Sequence, residues 1–363
     1  MNILNEPIQL KSGVIIPNRI VMAPMTSKGS SWDGIIEEED LKFYQKRNQV
    51  AGLIITGATA VSELGENFSY QMSIYDDRFI PGLSKLAKLI KGNGNKAVVQ
   101  LYHSGANSKV SYQKHGKVVA PSLVDFPHLP YIVSELTDEE IWSIIKDFGQ
   151  ATIRAIKAGF DGVEIHGAYS HLIQQFFSTY SNKRVDYWGG TLEKRMNFAL
   201  EIVKEVQNTV EKYAQRDFII GFRIMEEEFH WGSTGYDFQD TLKLIDRLSD
   251  TNIDYIHGTT NRYGELFKEV IEGRTALIIV PHASSAEDAL KGLKYGDMVS
   301  IARAALIEPY FAQKIREGKV ADMATEITST EMANSLGFPS KLTKWMLDPM
   351  GLSIVPKGMK YFK

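Results

Sequence analysis

The chain has 363 residues, 44% hydrophobic and 23% charged, and its 41 basic and 44 acidic side chains leave a formal net charge of −3. That balance provides no basic face for nucleic acid. No apolar run approaches a membrane span of roughly 18 residues, and no basic-then-apolar signal pattern opens the chain, so a cytoplasmic setting is expected. Cysteine is absent, which excludes disulfides, thiolate-held zinc, cysteine nucleophiles and cysteine-ligated iron–sulfur clusters.

In chain order, the runs 8–10 and 14–16 flank Lys11-Ser12-Gly13 and predict a hairpin. Eight apolar, β-branched runs follow, at 20–25, 53–60, 97–102, 162–165, 218–224, 255–258, 277–280 and 298–302. Segments of 3.6-residue periodicity lie between them. In 140–158, Ile141, Ile144, Ile145, Phe148 and Ile153 share a face and Gly159 supplies the stop; 195–213 and 238–248 read the same way. Alternation of this kind with fully apolar strands predicts parallel strands covered by helices. Eight units in about 300 residues favour a closed (β/α)8 TIM barrel over an open doubly wound sheet, with the hairpin plugging the barrel floor. No GxGxxG follows a strand, so a Rossmann domain is not expected.

The connection after the third strand, 104–136, is long and carries Pro121, Pro127, Pro130, Tyr112, Phe126 and Tyr131. Long structured loops of this kind are usually lids or pocket walls. The barrel is expected to occupy 1–330. The residues 331–363 show no barrel unit and are expected to form a tail on the barrel or on a neighbouring subunit, which leaves a homo-oligomer open.

Chemistry in such a barrel belongs at the C-terminal strand ends. The candidates there are Met25-Thr26, Ala58, Gln100 with His103, His166, Arg223, Thr259-Thr260, His282 and Arg303. Singly, a Gln or Arg at a strand end is usually a satisfied structural group. Converging on one rim, they suggest a small-molecule site. A metallohydrolase would need clustered ligands such as His-x-His on an early strand, and none is present. A Schiff-base aldolase would need a lysine at the end of a middle strand, where there is none.

Much of the chain, about 5–315, resembles the Old Yellow Enzyme family of FMN oxidoreductases. The strings are NRIVMAPMTS at 18–27, AGLIITGATAV at 51–61, VVQLYHSG at 98–105, SNKRVDYWGGTLEKR at 181–195, IIGFRIM at 219–225 and SIARAALIEP at 300–309. The resemblance implies FMN, with NADH or NADPH as reductant. It places Ala23, Pro24, Met25 and the Thr26 hydroxyl against the isoalloxazine, with Ala58 behind it. Gln100 falls on the pyrimidine edge and Arg223 beside N1 and O2. Ile279, Ala302 and Arg303 fall at the phosphate, and Lys28 on the substrate side. The physical reasons stand beside the resemblance. Reduction puts negative charge on the N1–O2 edge, where a guanidinium stabilises it by roughly 1.5–3 kcal/mol. An amide both donates and accepts, and a phosphate suits backbone N–H groups with an arginine. One departure lies on the seventh strand, where Ile278-Ile279-Val280-Pro281-His282 replaces the family's glycines.

A second departure lies in VEIHGAYSH at 163–171. The family pattern is a histidine, a His or Asn three residues on, then a proton-donating tyrosine. The matching positions here are His166, Tyr169 and His171, so a phenol and an imidazole have exchanged places. All three are candidates for catalysis and substrate binding. Tyr169 is the expected proton donor and His171 an orienting group, with the reverse assignment open. The expected activity is hydride transfer from reduced flavin to a small electron-poor acceptor, an activated alkene or a quinone-like compound. Two alternatives remain: a flavin-binding barrel with altered or lost alkene chemistry, and a dehydrogenase working in the oxidative direction.

Overall fold

The computed structural model describes residues 1–126, 129–230, 233–348 and 355–362. Eight parallel strands form the barrel: β1 Ile20–Met22, β2 Leu53–Ile55, β3 Lys96–Tyr102, β4 Gly162–Gly167, β5 Ile219–Ile224, β6 Tyr255–His257, β7 Ala276–Ile279 and β8 Met298–Ile301. Each pairs with its neighbour in sequence, and β8 closes on β1 through Val299↔Ile20 and Ile301↔Met22. The second predicted run is broken. A short strand, Thr59–Ala60, resumes pairing on β3 after Thr56-Gly57-Ala58.

Helices α1 Glu38–Lys46, α2 Ile80–Ile90, α3 Asp138–Ala158, α4 Leu192–Tyr213, α5 Phe238–Ser249, α6 Gly264–Ile271 and α7 Ala286–Gly292 surround the strands. Local chemistry sets their ends. Thr137 and Glu140 form a reciprocal cap that starts α3, and Gly159 ends it at φ 84. The Asp237 carboxylate accepts from the N–H groups of Gln239 and Asp240 to start α5.

Strand parity separates two cores. Ile20, Met22, Ile54, Val99, Val163, Phe222 and Ile256 face the helices. Val21, Leu53, Ile55, Val98, Ile219, Tyr255, Ile278 and Met298 face inward and join Leu10, Val14 and Ile16 of the N-terminal hairpin. The hairpin pairs Ile8 with Ile16 and is pinned below the barrel by Ser12 N–H donating to Asp254 at 2.7 Å. It is therefore a floor. These inward-facing side chains fill the lower barrel, and the carboxylate, imidazole, amide and guanidinium groups stand in the layer above them.

The 104–136 connection carries a core of its own, with Ala106, Val118, Ala120, Phe126 and Val133 buried together; Pro127 lies outside the described residues. A hairpin, Glu228–His230 with Ser233–Tyr236, follows β5 and was not expected from the sequence. In the tail, Ala333, Leu336, Leu342, Met346 and Met359 join the cluster that holds Phe43 and Tyr44 of α1. Arg47, fully buried, donates to the carbonyls of Leu336, Ala305 and Leu306. Residues 349–354 and 363 lie outside the described part. No helix among the described residues is long and apolar enough to cross a membrane.

Candidate active site

The inward face of the upper barrel carries Gln100 on β3, Glu164 and His166 on β4, Arg223 on β5, His257 on β6 and Ser300 on β8, all buried. Register explains why they meet. Gln100 pairs with Glu164, and His166, Arg223 and His257 stand side by side on adjacent strands. With a side-chain period of two, neighbours in register on parallel strands point the same way.

Arg223 donates through Nη2 to the Tyr169 hydroxyl at 3.2 Å, while Nε and Nη1 are buried with no partner among the described residues. Gln100 donates Nε2–H to Glu164 at 2.7 Å, and no donor among the described residues reaches its carbonyl oxygen. Unmet buried donors are costly unless a ligand supplies the acceptor. Met25 and Thr26 pass close to Gly57, where a Cβ would stand 2.5 Å from the Met25 carbonyl oxygen; only glycine lets the two strand ends approach. Ala23 is buried with its N–H on Ile301 O at 3.0 Å, so Pro24, Met25 and Thr26, all half-buried, form the lip above β1. Ala58 packs with Tyr102 and Phe68.

Arg303 is exposed, opens the short helix Arg303–Ile307, and has no ion pair among the described residues. The Ile279 side chain lies in the helix-facing core, which leaves only its backbone for a ligand. His282 adopts φ 53, a left-handed conformation, where the family's glycines would stand. Free guanidinium nitrogens, an open amide carbonyl and an unpaired arginine at a helix start fit the polar edge and phosphate of FMN.

After β4 the chain turns sharply. Tyr169 and Ser170 both have φ 56, a left-handed pair that costs energy and persists only when held. Three amides hold it: Gln174 accepts from Ser170 N–H at 2.8 Å, and Asn107 and Gln175 donate to Ser170 O at 2.8 and 2.7 Å. Gly105 makes room, since a Cβ there would stand 2.2 Å from Gln175 Oε1. The turn sends Tyr169 and His171 to different places. Tyr169 is 49% exposed with its ring over Arg223, whereas His171 is 4% exposed. The His171 ring lies 4.8 Å from that of His166 and 4.9 Å from that of Tyr102, and its Nδ1 meets Ser104 Oγ at 3.3 Å.

Burial lowers the pKa of His171 to about 3. Burial, the neighbouring His171 and the Arg223 guanidinium hold His166 well below the ordinary histidine value. Both are neutral imidazoles at neutral pH. Lys28, half-buried with φ 54, reaches Ser69 O at 3.4 Å and the Trp345 ring at 6.0 Å, which puts it on the rim. Burial, then the charge of Lys109, lowers its pKa.

Several candidates are placed elsewhere. His103 has outward parity, packs on Gly65 and accepts from Gly105 N–H at 3.0 Å. Thr259 and Thr260 are consumed by Glu226, whose Oε1 takes their N–H groups at 2.7 and 3.0 Å. The string at 181–195 is a clamp: Asn182 binds the carbonyls of Phe176 and Trp188, Arg184 those of Pro121 and Leu136, and Trp188 binds Asp138. Glu164 and His257, by contrast, were not anticipated. Parity was the available signal for Glu164, a carboxylate two residues before His166 inside an apolar run.

The model for the NADH:flavin oxidoreductase / NADH oxidase family matches residues 3–322. The chain is 40% identical to a probable NADH-dependent flavin oxidoreductase, YqiG, of Bacillus subtilis, over 90% of this chain and 91% of that protein. It is 35% identical to NADH:acrylate oxidoreductase of Vibrio harveyi over 99% of this chain but 37% of that longer protein. Among solved structures, morphinone reductase in complex with tetrahydroNAD superposes with a TM-score of 0.79 at 26% identity, covering 93% of this chain and 96% of that one. FMN is accordingly the cofactor and NAD(P)H the reductant. On its sequence match, its closed barrel and the polar layer at its mouth, this chain belongs to the NADH:flavin oxidoreductase / NADH oxidase family.

Proposed function

We propose that this FMN-dependent NAD(P)H oxidoreductase delivers a hydride to a small activated alkene, with quinone-like compounds as further acceptors. The observation that carries the reading is the pair of buried neutral imidazoles, His166 and His171, with ring centroids 4.8 Å apart beside Arg223. FMN, when bound, supplies the hydride. Gln100, Arg223 and the Met25–Thr26 lip would hold its ring, and Arg303 with the backbone at Ile279 and Ala302 its phosphate.

Each imidazole keeps one N–H at neutral pH. With Ser104 donating to Nδ1, His171 presents Nε2–H. Two such donors stabilise the negative charge that develops on an acceptor carbonyl when hydride adds at the β carbon, and loss of one donor of this kind typically costs about 10²–10³ in rate. The α carbon then needs a proton. A neutral imidazole is a poor acid and a protonated His171 is scarce, so Tyr169 is the donor, with Arg223 orienting its hydroxyl. Vibrio harveyi's relative is named for acrylate, an alkene conjugated to a carboxylate, which agrees with this acceptor class.

The test is anaerobic and has two steps. NADH or NADPH should bleach the bound flavin, and an enone or acrylate should restore its colour. Tyr169→Phe should slow the second step by about 10²–10⁴ and leave the first nearly intact. If His171→Ala alone shows that selective loss, the proton assignment reverses. If reduced nicotinamide bleaches nothing, the barrel binds flavin without turnover.

A further inference from the structure

Glu164 is the one charged side chain in the middle of β4, and it has no exposure at all. An ionised carboxylate so placed costs several kcal/mol unless its oxygens are matched. They are matched: Oε1 accepts from Gln100 Nε2 at 2.7 Å, and Oε2 meets His257 Nδ1 at 2.8 Å. Burial pushes the Glu164 pKa up, but His257, Arg223 and Gln100 together hold it below the ordinary carboxylate value. Burial and Arg223 lower the His257 pKa against the opposing pull of Glu164, and Nδ1–H donates to the carboxylate.

Two of its neighbours are the groups placed at the polar edge of FMN. By capturing one N–H of Gln100, Glu164 fixes which way that amide faces and leaves its carbonyl oxygen outward. By standing as a negative charge near Arg223, it offsets part of the field with which the guanidinium favours reduced flavin. An unmatched arginine would make the flavin easier to reduce and a poorer hydride donor.

We propose that Glu164, braced by His257, is a positioning residue of the cofactor site that locks the Gln100 amide and sets the flavin potential below the value Arg223 alone would impose. The inference rests on FMN at the barrel mouth and not on the identity of the acceptor.

Glu164→Gln keeps shape and removes charge. FMN affinity is measured on the variant and the parent in the oxidised and the fully reduced forms, with the midpoint potential. The expected result is a roughly tenfold gain in affinity for reduced over oxidised flavin relative to the parent, equivalent to a rise of about 30 mV for a two-electron couple. Equal changes in the two affinities, or none, would overturn the proposal, since a purely structural role moves both forms alike. If Glu164→Gln does not fold, Glu164→Asp retains the charge but retracts it from Gln100. Both affinities should then fall together at an unchanged potential, and undiminished affinity would refute the amide lock. Failure of the wild-type protein to bind FMN is a separate outcome, which removes the cofactor site on which the proposal stands.

Discussion

Lowering the pH from 8 to 5 should strip this protein of a large part of its stability, through histidines rather than through carboxylates. Burial lowers His103 and His171 each to about 3 from an ordinary 6.5, and His166 and His257 are lowered as well. Each folded pKa lies below the unfolded one, so the unfolded chain binds more protons across the interval between them. Stability is therefore full above 6.5 and is lost as pH falls toward 3. At pH 5 each of the two histidines at about 3 disfavours folding by roughly 1.4 kcal/mol per pH unit below 6.5, or about 2 kcal/mol. Together they remove about 4 kcal/mol, against a typical net stability of about 5–15. Asp147, raised by burial to about 6, takes up its proton in the native state and blunts the loss, with Asp40 and Asp254 acting in the same direction. The assay is urea denaturation at fixed, saturating FMN between pH 8 and 5, for the wild type and for His103→Asn, which lies outside the cofactor site. The variant should show a shallower pH slope by close to one proton. A wild-type stability flat from pH 7.5 to 5, or a variant with an unchanged slope, would show that these histidines are not buried as neutral imidazoles.

Two further outcomes follow from the site. Arg303→Ala should weaken FMN binding while leaving the apoprotein's thermal midpoint nearly unchanged, because that side chain is exposed and has no ion pair among the described residues; equilibrium dialysis against FMN checks it. Arg223→Ala should lower the flavin midpoint potential and slow reduction by nicotinamide. An unchanged potential in a folded, flavin-loaded variant would place the arginine's charge elsewhere.

The eight strands, the floor hairpin and the barrel itself were legible in the residues, because apolar β-branched runs and amphipathic helices encode burial locally. Gln100, His166 and Arg223 were legible for a related reason: each is a polar residue at the C-terminal end of an apolar strand, and position along a strand predicts height in a barrel. The amino-acid order also carried the exchange of Tyr169 and His171, since residue identity at a spacing is a sequence property.

Where those two side chains go was decided by the fold. Two consecutive left-handed residues, pinned by amides from Asn107, Gln174 and Gln175, turn the phenol onto Arg223 and bury the imidazole against Tyr102. His103 shows the same limit from the other side, because one step past the inward-facing Tyr102 reverses its direction. Glu164 and His257 could be recognised as a pair only in three dimensions. They stand 93 residues apart in the chain, on strands separated by β5, and no local pattern relates them. The order of residues along each strand was enough to place Gln100, His166 and Arg223 high in the barrel, but not His103, Thr259 or Thr260, and not the Glu164–His257 pair. The partners of these groups depended on strand register and barrel closure, which are long-range and which no local pattern encodes.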